Sequence, residues 1–149
     1  IQQQRTNTAT YYNLLLQPNG GKVRIGSSSQ PSEALHVTGN ILATGDVTAY
    51  SDKKLKDDIK VIENAVEKIK QIRGVTFIRN DVEGNKRHTG VIAQEVEKVL
   101  PEVVGYDKDR DTKTVAYGNM VGLLIEAIKE QQETIDKLTS RLDDIEKGE

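Results

Sequence analysis

Alternating carboxylates form the pattern in this sequence that is most like a metal site. Asp107, Asp109 and Asp111 occupy every second position, as the ligands of a calcium-binding loop do. The run lacks the glycine and the terminal glutamate that such a loop needs. We therefore expect a solvated hairpin turn here, with neither a metal nor a cofactor.

Other residue types that carry chemistry are scarce. The sequence contains no cysteine, which excludes disulfides, thiolate zinc sites and a cysteine nucleophile. It has two histidines, and His36 stands outside any motif, so we expect a structural role for it. No glycine-rich phosphate loop, zinc cluster or Ser-His-Asp arrangement is visible in the sequence.

A polar segment runs from Tyr50 to Ile59 and precedes the first helical pattern. Composition alone indicates a loop in which Ser51 or Asp52 is the N-cap of the following helix. Short polar side chains are common at that position because they accept hydrogen bonds from free backbone amides. Taken by themselves, these residues predict a structural role.

Composition limits both the core and the partners. The chain has 149 residues, of which 36% are hydrophobic and 30% charged, and its mean hydropathy is -0.56. A monomer of this composition would have a thin core, whereas oligomers bury surface between chains. The net charge of -2 gives no reason to expect nucleic acid or an anionic membrane as a partner. No apolar run approaches the roughly 18 residues that would span a bilayer.

The character of the sequence changes near residue 50, which predicts one domain over residues 1–50 and another over 51–149. The first residues of the sequence do not resemble a signal peptide, and we interpret the sequence as a segment of a longer chain. The first part is poor in charge and rich in Ser, Thr, Asn and Gly. Short strands are predicted at 11–16, 22–26, 35–37 and 41–43, with an extended segment at 47–50. Such strands suit an interwoven trimeric β-fibre, and a small independent sheet is the alternative.

The second part mixes helices and strands, so the predicted fold class is α+β. Apolar residues at three- and four-residue steps predict a helix over 59–72, ended by Gly74. A strand at 75–78, a reversing turn at 81–85, a short helix over 91–100 stopped by Pro101, and paired strands at 102–106 and 113–117 follow.

A heptad pattern predicts a coiled-coil helix over 117–146. The a positions are Val121, Ile128, Ile135 and Leu142, and the d positions are Leu124, Gln131, Leu138 and Ile145. Seven of these eight residues are apolar, and a single polar layer such as Gln131 commonly fixes register and strand number. The pattern predicts association of two or three chains, and a long helix packed on its own domain is the alternative.

Four blocks of residues carry a resemblance to a known family. They are Ser51-Asp52-x-x-Leu55-Lys56-x-x-Ile59, then Gly90-Val91-Ile92-Ala93-Gln94-Glu95-Val96, then Leu100-Pro101-Glu102-Val103-Val104, and finally Val115-x-Tyr117 followed by Leu123-x-x-x-Ala127-Ile128-Lys129-Glu130-Gln131. Together they resemble the C-terminal intramolecular chaperone domain of phage endosialidases, tail fibres, tailspikes and neck appendage proteins. Some membrane-tethered transcription factors carry a similar domain, but the fibre-like segment before Ser51 favours the phage context.

The resemblance implies a self-cleaving Ser-Lys dyad, with Ser51 as nucleophile, Lys56 as general base and Tyr50–Ser51 as the cleaved bond. A serine hydroxyl needs an adjacent base, and a lysine serves as one only when its amine is neutral. By the same resemblance, His88 is a possible orienter or oxyanion donor and Gln94 a possible support. For Glu95 we prefer a structural role.

The family further implies a homotrimer that registers the fibre strands for folding and then cuts itself off. Residues 1–50 would stay with the virion tail fibre, and residues 51–149 would be released, after assembly in the host cytoplasm. The competing interpretation is a permanent trimerisation tip that never cuts.

Overall fold

The computed structural model describes residues 20–26, 31 and 33–148. The chain divides into two units, residues 1–48 and 49–149, and each is described by itself. The predicted boundary after residue 50 lies close to this division.

The first unit contains two short parallel strands, β1 (Val23–Ile25) and β2 (Leu35–Val37), with Arg24 opposite His36. A hydrogen bond of 3.3 Å joins the Arg24 guanidinium to the His36 ring. Both strands confirm the predictions at 22–26 and 35–37. The strand predicted at 41–43 is wrong, since these residues form no strand and Leu42 is 93% exposed. The strand predicted at 11–16 lies outside the described residues.

The second unit places small hairpins around a pair of helices. Its elements are α1 (Ala65–Lys70), β3 (Val75–Ile78), β4 (Arg87–Gly90), α2 (Ala93–Val96), β5 (Val104–Asp107), β6 (Thr112–Val115) and α3 (Val121–Lys147). Strands β3 and β4 pair antiparallel, and so do β5 and β6. The predicted strands at 75–78, 102–106 and 113–117 and the reversal after 78 are therefore confirmed within one to two residues. The α+β class is confirmed as well.

The core of this unit is thin. In the part of the chain that the structure describes, the buried apolar residues are Ala65, Val96, Leu100, Val103, Leu123 and Ala127. They join α1, α2 and the first two turns of α3 into one cluster. A core this small agrees with the polar composition.

The helix predicted over 59–72 is much shorter than its periodicity indicates. Asp58 and Asn64 adopt left-handed backbone angles, with φ of 49° and 54°, and these interrupt a right-handed helix. The helix α1 therefore begins at Ala65 and ends at Lys70, with Gln71 rather than Gly74 beyond it. The periodicity is still meaningful, because Ile62, Val66, Ile69 and Ile72 all pack against the core.

The second helix is shorter than predicted, whereas the third agrees with the prediction. Helix α2 covers four residues of the predicted 91–100, and Pro101 starts a separate 3-10 turn, Pro101–Val103. The predicted long helix is confirmed: a 3-10 turn at Tyr117–Met120 leads into the 27 residues of α3. At 1.5 Å per residue, α3 is about 40 Å long.

Glu130 joins α1 to α3. Its two carboxylate oxygens accept hydrogen bonds from the backbone amides of Ala65 and Val66, at 2.8 and 2.9 Å. The residue before α1, Asn64, makes no side-chain cap bond, so Glu130 supplies the acceptor that a helix start needs. These bonds, the Val66 amide first and Ala65 second, hold the pKa of the Glu130 carboxyl below its usual range.

Replacing Glu130 should change both stability and its pH dependence. A carboxyl whose folded pKa is lowered stabilises the fold fully above its unfolded pKa, about 4.5, and loses that contribution as pH falls through the folded pKa. We expect Glu130→Gln to lower the urea midpoint at pH 7, because one amide would face an NH2 donor. The midpoint of Glu130→Gln should also fall less than that of the wild type between about pH 5 and pH 3.

The matched control is Glu133→Gln, on an exposed position of the same helix. At a fixed chain concentration, Glu133→Gln should have the urea midpoint of the wild type and the same dependence of that midpoint on pH. Identical curves for the two variants would show that the carboxylate of Glu130 does not stabilise α1.

Gly90 and Tyr117 bring two separate parts of the second unit into contact. A Cβ atom built on Gly90 would lie 2.5 Å from the Tyr117 hydroxyl oxygen and 3.6 Å from Phe77 Cε1. The same hydroxyl accepts a long hydrogen bond of 3.4 Å from the Val91 amide. The absence of a side chain at Gly90 therefore leaves room for the Tyr117 hydroxyl.

Gly90→Ala should destabilise the second unit by about 1 kcal/mol or more, the usual cost of overpacking. In a Tyr117→Phe background the same change should cost less, because the nearest remaining tyrosine atom lies 3.4 Å away. Thermal unfolding of the two single variants and the double variant measures this coupling. Additive losses would show that the hydroxyl is not what excludes a side chain at position 90.

Candidate functional site

A single 3-10 turn, Lys53–Leu55, shapes the segment around Ser51. The Asp52 carboxylate accepts a hydrogen bond of 2.9 Å from the Lys54 amide. The Leu55 and Lys56 amides donate to the carbonyls of Asp52 and Lys53, each at 3.1 Å. Asp52 is thus an N-cap, one of the two alternatives drawn from composition, although it caps a 3-10 turn instead of an α-helix.

The turn brings Lys56 back onto Ser51. Lys56 Nζ donates to Ser51 Oγ at 2.8 Å and to the Ser51 carbonyl oxygen at 3.1 Å. The first distance lies within the range expected for a nucleophile and its base. No other element is needed for this contact, since all its determinants lie within six consecutive residues.

The site lies in water in the single chain. Every residue from 49 to 60 is exposed, and the Tyr50 side chain before the expected cleavage bond is 97% exposed. The surrounding charges are mixed, because Lys54 forms an ion pair of 3.5 Å with Asp52, and Lys60 one of 2.8 Å with Asp58. Any desolvation of the Lys56 amine must therefore come from outside this segment.

His88 and Gln94 lie elsewhere in the second unit. His88 is half-buried in β4 and stacks on Phe77 of β3, with ring centroids 5.9 Å apart. Gln94 is exposed on α2. Among the described residues, no hydrogen bond or ion pair joins either side chain to Ser51 or Lys56.

Glu95 has a defined set of partners. Its carboxylate accepts hydrogen bonds from the Arg73 guanidinium, at 2.8 and 2.5 Å, and from the Arg73 backbone amide, at 3.0 Å. The Arg73 side chain, followed by its backbone amide, holds the pKa of Glu95 below its usual range. The pair ties α2 to the segment that leads into β3, which supports a structural role for Glu95.

The aspartate run forms the end of the β5–β6 hairpin. The Asp107 carboxylate accepts from the Asp109 amide at 3.0 Å, and the Tyr106 hydroxyl donates to Asp111. Over residues 20–26, 31 and 33–148, no group of three or more His, Cys, Asp or Glu side chains is arranged to hold a metal ion. The predicted hairpin turn is confirmed. No helix in the same ranges has the length and apolar character to cross a membrane.

Among the described residues, most of the apolar face of α3 is left uncovered. We call its eight a and d residues the seam: Val121, Leu124, Ile128, Gln131, Ile135, Leu138, Leu142 and Ile145. All eight are exposed. Only the first turns of α3 pack on the unit, through Leu123 and Ala127 on a different face. The seam is therefore an apolar strip about 40 Å long in water.

Sequence reasoning missed the role of Glu130. The signal was present, because Leu123, Ala127 and Glu130 recur at four- and three-residue steps and so share one helix face. A charged residue on the inward face of an amphipathic helix calls for a partner, and here the partner is the start of α1.

Comparison with known proteins identifies relatives of this chain. Residues 51–105 match the family model described as chaperone of endosialidase. The long tail fiber protein Gp37 of Escherichia phage AR1 is 39% identical over 92 residues, 57% of this chain and 8% of that protein. Gp37 of Salmonella phage S16 is 30% identical over 115 residues, 72% of this chain and 15% of that protein.

A third relative is similar over more of its own length. Gp37 of Enterobacteria phage M1 is 32% identical over 140 residues, which cover 80% of this chain and 56% of that protein. The chain thus spans about half of this relative and a much smaller share of the other two.

Removing the Asp52 cap should weaken the Ser51–Lys56 contact. A lost N-cap costs about 1 kcal/mol, which corresponds to a roughly fivefold lower population of the turn. We expect Asp52→Ala to speed hydrogen exchange at the Lys54 amide and to slow any cleavage after Tyr50 by about that factor. Asp52→Asn should preserve both, because asparagine caps equally well. Equal behaviour of the alanine and asparagine variants would show that capping does not hold the turn.

Proposed function

Because residues 51–105 belong to the chaperone-of-endosialidase family, we propose that this chain is the C-terminal part of a phage tail fibre or tailspike and its intramolecular chaperone. Three copies associate through the seam, hold the upstream strands in register and then separate from them by cutting the Tyr50–Ser51 bond. The observation that carries the cleavage step is the 2.8 Å contact between Lys56 Nζ and Ser51 Oγ.

The proposed reaction is an attack of Ser51 on the carbonyl before it. Neutral Lys56 takes the hydroxyl proton while Oγ bonds to the Tyr50 carbonyl carbon, and the C–N bond to Ser51 breaks. The proton passes to the departing Ser51 amine. Water then hydrolyses the ester, which leaves a Tyr50 carboxylate and restores the hydroxyl. Attacker and target are neighbours in the chain, so their effective concentration is high.

Exposure of Lys56 makes the reaction depend on assembly. In the single chain the exposed Lys56 amine donates to Ser51, whereas a base must accept the serine proton, and burial favours the neutral amine that can do so. A neighbouring copy that covers residues 49–60 would supply the missing desolvation. His88 and Gln94 remain proposed supports of the site, as orienter or oxyanion donor, in that assembled state.

The seam supports the homotrimer. Seven of its eight residues are apolar, and all eight lie in water in one chain. Apolar a and d residues over nearly four heptads bury this surface between helices. The number three comes from the family, because the pattern alone is also compatible with a dimer.

A removable chaperone suits a β-fibre. Strands that pair between copies nucleate slowly, whereas a helix forms locally and fast. The helical part would hold three chains together while residues 1–50 pair, inside the host cell where virions assemble. Once the fibre is held by a high unfolding barrier, its helper is dispensable. Residues 1–50 would stay with the virion, and residues 51–149 would leave.

A second candidate function is a permanent trimerisation tip. The observation that favours it is that both Ser51 and Lys56 are exposed. If no neighbouring copy covers this segment, the seam still assembles the fibre but the bond is never cut.

The intact mass of the freshly purified chain, measured under denaturing conditions, distinguishes the self-cleaving chaperone from the permanent tip. We expect two fragments that meet at Tyr50–Ser51 in the wild type and one full-length mass in Ser51→Ala and Lys56→Met. The matched control is Lys54→Met, which removes a neighbouring lysine of the same turn and should still cut. A single full-length mass in the assembled wild type would leave the permanent tip as the function.

A further inference from the structure

Tyr117 places its hydroxyl group on the same face of β4 as the His88 side chain. Side chains two residues apart on a strand point to the same side, so His88 and position 90 share a face. A Cβ atom on Gly90 would lie 2.5 Å from the Tyr117 hydroxyl oxygen, so this hydroxyl lies on that face. Phe77 lies beside both groups, since its ring stacks on His88 and its Cε1 atom lies 3.6 Å from the same Cβ position.

This face has hydrogen-bonding capacity that the fold does not use. The Tyr117 hydroxyl oxygen accepts from the Val91 amide at 3.4 Å, which leaves its O–H free to donate. Within residues 20–26, 31 and 33–148, no acceptor takes that proton, and neither ring nitrogen of His88 makes a hydrogen bond. Tyr117 is also 55% exposed. Two donors on one accessible face can therefore bind an incoming oxygen atom.

The spacing of the two groups suits a single oxygen atom as acceptor. Positions 88 and 90 are about 6.6 Å apart along the strand, at roughly 3.3 Å per residue. Two donors that each lie about 2.9 Å from one oxygen atom are at most about 6 Å apart, and side chains on a strand lean along it far enough to close this difference. A negatively charged oxygen held by such donors forms when a hydroxyl attacks a peptide carbonyl.

The turn around Ser51 uses several of its own donors to hold itself together. The amides of Lys54, Leu55 and Lys56 all donate within the turn, to the Asp52 carboxylate and to backbone carbonyls. The amine of Lys56 is the proposed base and contacts the Ser51 hydroxyl. Few donors of the turn are left for the carbonyl oxygen before Ser51, so donors on another surface would add to its stabilisation.

We propose that the Tyr117 hydroxyl of a neighbouring copy donates a hydrogen bond to the Tyr50 carbonyl oxygen while Ser51 attacks, with His88 of that copy as the second donor. This inference rests on the proposed self-cleavage and adds Tyr117 to its catalytic residues. The donor comes from another copy because, in the described part of the chain, no hydrogen bond or ring contact joins the exposed segment 49–60 to either residue. Docking of that segment on the half-buried face of β4 would also shield the dyad from water, which favours a neutral amine.

Tyr117→Phe tests the hydroxyl, because it keeps the ring and removes only the donor. The matched control is Tyr106→Phe, which removes the hydroxyl of another exposed tyrosine, the one that donates to Asp111. Newly made chains are pulse-labelled in cell-free synthesis, and the cut fraction is followed with time on a denaturing gel. Loss of one oxyanion donor slows a reaction roughly 100-fold, so we expect that loss for Tyr117→Phe. Tyr106→Phe should cut within about twofold of the wild-type rate.

Assembly is measured separately, in the uncut Ser51→Ala background. Adding Tyr117→Phe to this background should leave the sedimentation equilibrium of the chain unchanged and its thermal midpoint nearly so, because the one hydrogen bond that is lost is long, at 3.4 Å. A double variant that assembles more weakly than Ser51→Ala would overturn the assignment, since slower cutting would then follow from lost assembly.

Synthesis of two variants together tests whether the donor comes from another copy. One chain carries Ser51→Ala and cannot be cut, and the other carries Tyr117→Phe and is cut slowly when made alone. In mixed assemblies the Tyr117→Phe chain keeps its own Ser51 and Lys56, and a neighbouring copy supplies the Tyr117 hydroxyl. We therefore expect fragments to form faster in the mixture. A mixture that cuts no faster than Tyr117→Phe alone would overturn donation between copies.

These outcomes are distinct from a failure of the proposed function. If the wild type assembles but is never cut, self-cleavage itself is wrong and the role of Tyr117 falls with it. If the wild type is cut and Tyr117→Phe is cut equally fast, only the role of Tyr117 is wrong, and the self-cleaving chaperone stands.

Discussion

Burial of apolar surface is the constraint on which the rest of this structure depends. Among the described residues, six apolar side chains are buried and twenty-one large ones remain exposed. Folding of one chain is driven mainly by the apolar area that it removes from water. A core of six residues can order two helices and their hairpins, but it leaves a long helix with one apolar face in water. The exposed apolar face of α3 is compatible with a coiled coil, which is the basis of the proposed assembly.

Glu130 shows how so small a core positions a second helix. Six residues are too few for a stable isolated helix, and the residue before α1 has a left-handed backbone and makes no side-chain cap bond. The Glu130 carboxylate on α3 supplies the acceptor instead, so the start of α1 is fixed by its contact with α3. Because Leu123 and Ala127 lie on the same face as Glu130, packing and capping act in the same place. The apolar a and d face of α3 is thereby left exposed.

The sequence predicted the long helix, its heptads, strand β3 and the β5–β6 hairpin, because these depend on local periodicity and turns. It missed β4, the partner of β3, and the pairing of Ser51 with Lys56 came from the family resemblance. It failed where the backbone departs from regularity. The left-handed angle at Asn64 removed the N-terminal part of a helix whose apolar spacing begins at Ile59. Ile41 to Ala43 is apolar like a short strand, but among the described residues no strand pairs with it. The partners of Glu95 and Glu130 lie 22 and more than 60 residues away, beyond what local patterns reveal.

The Ser51–Lys56 contact depends on local structure alone. All hydrogen bonds of the turn lie within residues 51–56, so the two side chains meet as soon as the segment forms. A lysine can take a proton from serine only in its neutral form, which burial favours. Under the proposed function, the local turn would select the bond that Ser51 attacks, and burial of Lys56 by neighbouring copies would set the time of the attack.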